Sequence, residues 1–290
     1  MIAIVGPTAS GKSALAMRVA ERVGGEIVSA DSRQVYRHLS IGTAKPTAEE
    51  QARIPHHLID VVDPGGRYDV LRCQRDGREA LAEIRARGHV ALVVGGTGLY
   101  VRALLDGLDL ASLPHDPAVR ARLEAEDPAM LHDRLRAIDP DAASPVDPRN
   151  RRRLVRYLEV ATIVGGPVSR VRGASVAALR IGLRPPRDVL IAAIERRVRE
   201  MVAAGVLDET RALVARGIDP RLPSMSAHGY LHWAAHLRGD IDLETAILLT
   251  ARDVRAYSRR QMTWFRRDAA IRWYDPTAVD PLDEILEAAA

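Results

Sequence analysis

Residues 6–13, GPTASGKS, have the spacing of a loop that binds phosphate groups. Its glycines allow backbone N–H groups to point at an anion, and a helix that begins at Lys12 adds the partial positive charge of its N-terminus. The ammonium group of Lys12 suits terminal phosphate oxygens, and the hydroxyl of Ser13 suits Mg²⁺. The preceding residues, IAIV, predict the strand that this motif requires. The sequence therefore predicts a phosphate site in which Ser13 is a ligand of Mg²⁺.

The acidic residue of this predicted site is Asp31. Enzymes with such a loop commonly hold magnesium through an aspartate after a second apolar strand, but the apolar run ALVVGGTG (91–98) ends in glycines and Thr97. Asp31 follows the run EIVSA instead. Ligands of parallel sheets lie at the carboxyl ends of strands, which favours a functional role, whereas the sequence DSRQ is also typical of an aspartate that caps a helix. An acid in this place suits a substrate whose diphosphate leaves as a unit.

Strand-like and helix-like segments alternate in the first and last thirds of the chain. Apolar runs of strand type lie at 2–6, 25–32, 56–64, 89–98, 179–187 and 271–275. Patterns of helical spacing lie between them at 12–23, 69–87, 188–204, 207–216 and 242–267. Runs that are apolar throughout are typical of parallel strands covered on both faces. The predicted fold class is therefore α/β, with a P-loop NTPase-like, doubly wound parallel sheet.

The middle of the chain is charged, helical in pattern and divided by prolines. We predict that residues 113–178 form a helical insertion domain. Residues 1–112 are then the first part of the α/β core, and residues 179–290 complete it with long, arginine-rich helices.

The composition excludes several classes of protein. The chain has 290 residues without an apolar run long enough to span a membrane, and its first residues lack the pattern of a secretory leader. Its single cysteine, Cys73, excludes an internal disulfide. We expect a cytoplasmic protein without membrane contact, and we expect it to be a monomer.

Arginine dominates the basic residues, since 40 of the 42 are arginines. At about 100° per residue, four of them fall in one sector of the helix predicted over 242–267: Arg252, Arg255, Arg259 and Arg266. A helix face with this much positive charge lies against either water or phosphate. From the residues alone, a solvated face is the more common of the two.

Five segments together resemble the bacterial tRNA dimethylallyltransferases, also called tRNA isopentenyltransferases. They are GPTASGKS, SADSRQVYRHLSIGTAKPT, PHHLIDVVDP, LVVGGTGLYVRALLDGL and RRQMTWFRRD, and they follow one another over nearly the whole chain. The resemblance implies transfer of a dimethylallyl group from dimethylallyl diphosphate to N6 of adenosine 37 in tRNAs that read codons beginning with U. Diphosphate leaves, and Mg²⁺ is the expected cofactor.

The resemblance also implies roles for individual residues. The expected catalytic residues are Lys12, Asp31 as the base that accepts a proton from the adenine amine, and Thr97 as a residue that fixes the flipped base. The expected donor-binding residues are Gly6, Pro7, Thr8, Ala9, Ser10, Gly11, Lys12, Ser13 and Arg197. The expected contacts with the anticodon stem-loop of tRNA are Asp31, Ser32, Arg33, Gln34, Thr97, Arg120, Arg152, Arg153, Arg156, Arg259, Arg260, Gln261, Thr263 and Arg266.

One stretch departs from the family pattern. In LPSMSAHGYLHW (222–233), Ser226 and Leu231 stand where the resemblance leads us to expect arginines. His228 and His232 could substitute in part for the missing positive charge, although surface histidines are more often incidental. The family signature PHHLID contains His56 and His57, for which we expect a structural role.

Three other functions are compatible with the phosphate loop and Asp31. An adenylate isopentenyltransferase of the cytokinin type would share both features but would need no RNA-binding surface. A P-loop small-molecule kinase with a helical lid is the second alternative, and a nucleotide-gated RNA-binding protein without catalysis is the third. The arginine clusters at 152–156 and 259–267 favour tRNA as the substrate.

Overall fold

The computed structural model describes residues 1–107, 113–144, 146–168, 175–226 and 229–289, except for the side chain of Ser226. These residues form six strands: β1 (Ile2–Val5), β2 (Gly25–Ser29), β3 (His56–His57), β4 (Val90–Gly95), β5 (Leu179–Leu183) and β6 (Ile271–Tyr274). They also form thirteen α-helices: α1 (Lys12–Val23), α2 (Ala48–Arg53), α3 (Val70–Ala86), α4 (Gly98–Leu105), α5 (Pro117–Ala125), α6 (Pro128–Ile138), α7 (Pro140–Ala143), α8 (Arg151–Val164), α9 (Arg187–Ala203), α10 (Val206–Ala215), α11 (Tyr230–Leu237), α12 (Leu243–Phe265) and α13 (Leu282–Ala289).

The strands form one sheet in the order β3-β2-β4-β1-β5-β6, and every pair is parallel. All residues of β1 and β2 are buried, because helices cover both faces of the sheet. This arrangement confirms the predicted doubly wound α/β fold. The loops that follow the strands meet at the carboxyl edge of the sheet, where parallel sheets bind ligands.

The run at 56–64 forms much less strand than its apolar residues suggest. Only His56 and His57 pair with β2. Leu58 and Asp60 have φ angles of 62° and 55°, so the chain turns out of the extended conformation there. An isolated bridge between Tyr36 and Val62 is the remaining pairing in this segment.

Helix α1 shows how the sequence builds the core on one face of the sheet. Its buried residues Leu15, Ala16, Val19 and Ala20 repeat at the spacing of a helix face. They join an apolar cluster with residues of β1, β2, β4, β5 and α13. The helix ends at Gly24, whose φ of 60° is the left-handed conformation of a typical helix cap.

The chain divides into two compact units, one formed by residues 1–104 and 177–290 and the other by residues 105–176. The backbone N–H of Val176 donates to the carbonyl of Leu105 at 2.8 Å, which joins the two ends of the second unit. The insertion predicted from the sequence covers residues 113–178, so the second unit begins eight residues earlier and ends two residues earlier than that prediction.

Prolines divide the insertion because they begin its helices. Helices α5, α6 and α7 each start with an Asp-Pro pair, in which the aspartate side chain accepts hydrogen bonds from the first turn. Proline suits the first helical position, where no N–H is needed. The apolar faces of α5, α6 and α8 then pack together around residues such as Leu123, Leu131 and Leu158.

Glu159 is a buried carboxylate in the insertion, with a fully buried side chain. Arg120 donates to it at 2.6 Å, Arg156 at 2.8 Å and the backbone N–H of Asp116 at 3.1 Å, and His115 is a further partner. Burial acts to raise the pKa of Glu159, but these hydrogen bonds lower it to about 2. The carboxylate therefore stabilises the insertion above its unfolded pKa, and that contribution is lost as the pH falls towards 2.

We expect Glu159→Gln to destabilise the insertion by roughly 3–5 kcal/mol, because two arginines lose their buried counter-charge. Hydrogen exchange of the full chain at neutral pH should show faster exchange in α5 and α8 and unchanged exchange in α1. Glu126→Gln is the matched control, because Glu126 makes a partly exposed ion pair with Arg134 in the same unit. Equal protection of α8 in both variants would contradict this role of Glu159.

Candidate functional site

The phosphate loop joins β1 to α1 and has the geometry its glycines predict. At Gly6, φ is 151°, and a Cβ atom would lie 2.7 Å from the carbonyl oxygen of Leu183, so no larger residue fits. Ala9 and Gly11 also have positive φ, at 63° and 89°. The N–H of Ser10 donates to the carbonyl of Pro7 at 3.3 Å, which closes the first turn of the loop.

A cavity of about 360 Å³ opens beside this loop at the carboxyl edge of the sheet. Its polar lining comes from the phosphate loop and the start of α1, from β2 and the segment after it, from α2, from β3 and from α9: Lys12, Ser13, Ser29, Asp31, Gln34, Lys45, Glu50, His56 and Arg197. Its apolar lining includes Met17, Ile27 and Val94. The cavity therefore combines an anion-binding end with a wall that suits a small hydrocarbon group.

Two of the cations in this cavity, Lys12 and Arg197, interact with the carboxylate of Asp31. Burial lowers the pKa of Lys12 to about 8, the attraction of Asp31 opposes this effect, and the repulsion of Arg197 adds to it. Burial also lowers the pKa of Arg197, again against the attraction of Asp31. Because Lys12 and Arg197 share the single carboxylate of Asp31, a polyvalent anion would stabilise the charges of both.

The residues at the loop suit magnesium bound together with a phosphate ligand. Ser13 occupies the first turn of α1 and is exposed to the cavity mouth. The hydroxyl of Ser10 is buried and has no hydrogen-bond partner in the described part of the chain. Among the described residues, no group of three or more His, Cys, Asp or Glu side chains could hold a metal alone. Magnesium commonly takes one or two protein ligands and completes its shell with phosphate and water.

Asp31 closes a turn after β2 and also faces the cavity. Its Oδ1 atom accepts from the backbone N–H of Arg33 at 2.8 Å and of Gln34 at 3.4 Å. Residues 32–35 form turns in place of the helix that DSRQ could begin. Within the described ranges, Oδ2 has no hydrogen-bond partner, so one oxygen caps the turn and the other is available to a ligand.

Thr97 lies after β4, next to the Asp31 segment. Its Oγ1 accepts from the N–H of Ser32 at 3.1 Å and lies 3.3 Å from the Ser32 hydroxyl. The Thr97 side chain is also hydrogen-bonded to the hydroxyl of Tyr257 on α12. Sequence reasoning missed Tyr257, although it lies one helical turn from Gln261 and therefore on the same face of α12.

Gln261 is buried, and the structure shows an internal role for its side chain. Its Oε1 accepts from the N–H of Thr8 at 2.9 Å, and its Nε2 donates to the carbonyl of Gly96 at 3.0 Å. The neighbouring Trp264 packs against Gly98, and Phe265 is buried. A contact of Gln261 with tRNA stays a prediction from the family pattern.

Gln34 and Arg33 also make internal contacts. Oε1 of Gln34 accepts from the hydroxyl of Ser29 at 2.9 Å, and its Nε2 donates to the carbonyl of Ala44 at 3.0 Å. The guanidinium of Arg33 donates to the carbonyl of Pro223. These bonds fix the segment after Asp31, and its contacts with tRNA remain predictions.

Residues 40–45 follow that segment and are held from α10 and α11. The carboxylate of Glu209 accepts from the N–H groups of Ser40 and Ile41 at 2.8 Å and of Gly42 at 3.1 Å, and the hydroxyl of Tyr230 donates to it at 2.6 Å. Lys45, at the end of this loop, lines the cavity and pairs with Asp60 at 2.6 Å.

The stretch that departs from the family pattern lies around Tyr230. Leu231 is exposed, and His232 pairs with Asp253 of α12 at 2.9 Å. His228 lies outside the described residues, as does the side chain of Ser226.

The two histidines of PHHLID make structural contacts. His57 binds the buried carboxylate of Glu26 at 2.6 Å, and this carboxylate also pairs with Arg87 and His89. His56 binds the carbonyl of Ile54 at 2.7 Å at the edge of the cavity.

A second cavity of about 670 Å³, here called the arginine groove, lies between α9, α12 and the ends of β5 and β6. Its exposed lining residues include Arg184, Arg187, Arg259, Thr263 and Arg266. Arg184 stacks over the half-buried ring of Trp273, 6.0 Å from its centroid. Exposed cations around an aromatic ring are typical of a surface that binds single-stranded nucleic acid.

Only part of the arginine stripe predicted on α12 is free of ion pairs within the described residues. Arg255 pairs with Glu195 at 2.9 Å, and Arg252 pairs with Asp253 at 3.0 Å. Arg259 and Arg266 have no ion pair in the described part of the chain. Arg260 covers the ring of Tyr257 at 5.7 Å.

The four arginines of the insertion that are predicted to contact tRNA fall into two groups. Arg120 and Arg156 bind the buried Glu159. Arg152 is exposed at the start of α8, and Arg153 is 5.5 Å from the ring of Tyr157. Arg152 is thus the member best placed to meet a partner.

No helix of the described residues is both long and apolar enough to cross a membrane.

Comparison with known proteins gives one consistent result. The sequence model of the "IPP transferase" family matches residues 34–268, and that of the "Isopentenyl transferase" family matches residues 1–60. The chain is 46% identical to a tRNA dimethylallyltransferase of Chloroflexus aggregans over 287 residues, which cover 97% of each protein. The crystal structure of the tRNA isopentenylpyrophosphate transferase of Bacillus halodurans is 42% identical, with a TM-score of 0.73, and the match covers 99% of this chain and 93% of that one.

The structure of a eukaryotic dimethylallyltransferase acting on tRNA is less similar in sequence. It is 26% identical with a TM-score of 0.80, and the match covers 95% of this chain and 73% of the other.

We predict that the cavity binds inorganic diphosphate most tightly below about pH 8. The anion favours the charged form of Lys12, whose pKa in the free protein is about 8, so affinity should fall up to tenfold per pH unit above that value. Calorimetric titration with inorganic diphosphate at constant Mg²⁺, from pH 7 to 9.5, measures this decline. Lys12→Arg should abolish it, because a guanidinium stays charged; a decline that persists in this variant would assign the effect to another group.

Proposed function

Because this chain belongs to the IPP transferase family, we propose that it transfers a dimethylallyl group from dimethylallyl diphosphate to N6 of adenosine 37 in tRNAs that read codons beginning with U. It is a prenyltransferase that modifies tRNA and releases diphosphate. The observation that carries the proposal is the meeting of a phosphate loop, Lys12, Arg197 and Asp31 with an apolar wall in a single cavity.

The donor diphosphate binds at the loop in this proposal. Backbone N–H groups at the start of α1, Lys12 and Arg197 stabilise the negative charge that develops on the diphosphate as the C–O bond breaks. The wall formed by Met17, Ile27 and Val94 takes the five-carbon group. An allylic carbon tolerates positive charge, so bond breaking can run ahead of attack.

The acceptor amine is directed by Asp31. The lone pair of an exocyclic adenine amine is delocalised into the ring, so the amine is a poor nucleophile. The free oxygen of Asp31 orients this amine and accepts its proton as the new C–N bond forms. An adenine of a tRNA loop reaches the cavity only after it leaves its stack, at a cost of a few kcal/mol. Thr97, which adjoins Asp31, helps to hold the flipped base.

Magnesium belongs to this proposal as a ligand of Ser13. Bound there, it would neutralise charge on the diphosphate. The small number of protein ligands at the loop supports magnesium held mainly by phosphate and water.

The arginine groove is the surface of the core that we propose for the anticodon stem-loop. Arg259, Thr263 and Arg266 belong to the segment that resembles the tRNA contacts of the family, and all three are exposed along the groove. Arg184 in the turn after β5 and Arg187 at the start of α9 line the same groove and extend it beyond the family segment. In the insertion, Arg152 and Arg153 are the proposed contacts.

The remaining alternatives have less support. The "Isopentenyl transferase" match ends at residue 60, whereas the "IPP transferase" match extends to residue 268. A cytokinin-type enzyme or a small-molecule kinase would have no use for the arginine groove. We propose further that the chain acts in the cytoplasm as a monomer.

The test is incubation of the protein with dimethylallyl diphosphate, Mg²⁺ and unmodified tRNA, followed by digestion and mass spectrometry of the nucleosides. Dimethylallyl adenosine from tRNA supports the proposal. Product from AMP but not from tRNA would select the cytokinin-type reaction, and ATP turnover would select a kinase.

We predict that Asp31→Ala and Asp31→Asn both lower turnover by about 10²–10⁴-fold, the usual contribution of a general base. The Kd for tRNA should change little, since the phosphate contacts remain. Asparagine is the matched control for the turn, because its side-chain oxygen can accept the same two backbone N–H groups. Nearly full turnover of Asp31→Asn would reduce the role of Asp31 to that of a cap.

We predict that Arg259→Ala combined with Arg266→Ala weakens tRNA binding and flattens its salt dependence. Each lost phosphate contact should reduce the slope of log Kd against log salt by about 0.7–0.9. Filter binding from 50 to 300 mM salt, roughly the range over which such contacts are screened, measures the slope. Arg22→Ala combined with Arg85→Ala is the control, because these arginines lie in the last turns of α1 and α3, at the opposite edge of the sheet. If the slope is unchanged in the Arg259→Ala, Arg266→Ala variant, these two arginines face solvent and do not contact tRNA phosphates.

A further inference from the structure

Two side chains of α12 contact the phosphate loop and the loop after β4, and Thr97 links these to the Asp31 loop. Gln261 binds the phosphate loop at Thr8 and the end of β4 at Gly96. Tyr257 is hydrogen-bonded to Gln261 and to Thr97, and Thr97 accepts from the N–H of Ser32, which follows Asp31. The loops after β1 and β4 are therefore joined through α12, and the loop after β2 is joined to them through Thr97.

The chemistry of these bonds allows only one arrangement of the Gln261 amide. Its oxygen meets an N–H group and its nitrogen meets a carbonyl oxygen, so a rotated amide would lose both bonds. The second hydrogen of Nε2 is free to serve the hydroxyl of Tyr257. The amide is buried, so water cannot replace a lost partner.

The space around Gln261 is equally restricted. A Cβ atom at Gly96 would overlap the amide nitrogen of Gln261, so the approach of this side chain requires glycine at that position. Tyr257 and Gln261 are four residues apart and thus lie on one face of α12. Arg260 covers the outer side of the Tyr257 ring at 5.7 Å. The same two turns of the helix carry Arg259 and Thr263, which line the arginine groove.

From this geometry we infer that Gln261 and Tyr257 are positioning residues, which hold the donor loop at a fixed separation from the Asp31 and Thr97 loops. The inference rests on the proposed function, because it concerns the alignment of the two substrates. An error of about 1 Å in such an alignment costs roughly 10²-fold in rate. Neither residue touches the reacting atoms, so their effect on the reaction passes through the loops.

The consequence for kinetics is specific. Gln261→Leu removes both loop contacts, so kcat should fall by about 10–100-fold and the KM for the donor should rise. Tyr257→Phe should lower kcat less and leave the donor KM unchanged, because the phosphate loop keeps its bond to Gln261. The double variant should be little worse than Gln261→Leu alone, since both side chains act through one network. For Tyr257→Phe, the Kd for tRNA should stay within about twofold, because the exposed arginines remain.

The control for a merely structural effect is Gln74→Leu. Gln74 is also a buried glutamine, and its Nε2 donates to the carbonyl of Ala103 at 2.6 Å, away from the three loops. We expect both glutamine variants to lose thermal stability and only Gln261→Leu to lose donor binding and turnover. The inference would be overturned if Gln261→Leu and Gln74→Leu had equal kcat and equal donor KM values, measured well below their melting temperatures. If the fold-losses in kcat of Gln261→Leu and Tyr257→Phe multiply in the double variant, the two residues do not act as one unit.

A second readout separates this inference from the proposed function. Calorimetric titration with inorganic diphosphate and Mg²⁺ requires no turnover, and Gln261→Leu should bind this probe about tenfold more weakly than the wild type. If the wild-type protein binds diphosphate but modifies no tRNA, the proposed function fails while the role of Gln261 at the loop still stands. Unchanged diphosphate affinity in Gln261→Leu would refute that role whatever the activity.

Discussion

Two cations that share one carboxylate determine the character of the cavity. Lys12 and Arg197 are both buried enough for their pKa values to fall, and Asp31 is the anion that offsets them. Such an excess of positive charge is costly in a partly buried site unless an anion joins it. A diphosphate satisfies this requirement, and its departure from carbon is favoured by the same charges. Binding of the donor and stabilisation of the leaving group thus have one electrostatic origin.

The excess of charge is useful only if the loops keep their positions, and the fold secures them with buried polar groups. Glu209 holds residues 40–45 through three backbone N–H groups. Gln261 and Tyr257 join the loops after β1 and β4, and Thr97 links the loop after β2 to them. Each of these side chains reaches the carboxyl edge of the sheet from a helix. The sheet supplies the loops, and α10 and α12 fix their separation.

The sequence predicts the parts of this site that depend on local spacing. The phosphate loop and the apolar strands are recognisable because glycine positions and runs of buried residues lie within about ten residues of each other. Long-range partners leave no such signal. The bond between Thr8 and Gln261 spans 253 positions, and the turn at Leu58 that ends β3 depends on backbone angles that an apolar run does not encode. Tyr257 was missed for the same reason, since nothing near it in sequence reveals that Thr97 is its partner.

The scarcity of lysine has a practical consequence for the study of this cavity. The chain contains only two ε-amino groups, those of Lys12 and Lys45, and both side chains line the donor cavity. Lys12 has a pKa of about 8, so a large share of it is an unprotonated nucleophile in mildly alkaline buffer. An acylating reagent therefore meets almost no competing side chains on the protein surface. Mass spectrometry can then measure how much Lys12 and Lys45 are acylated, and a bound ligand that covers them would lower that acylation.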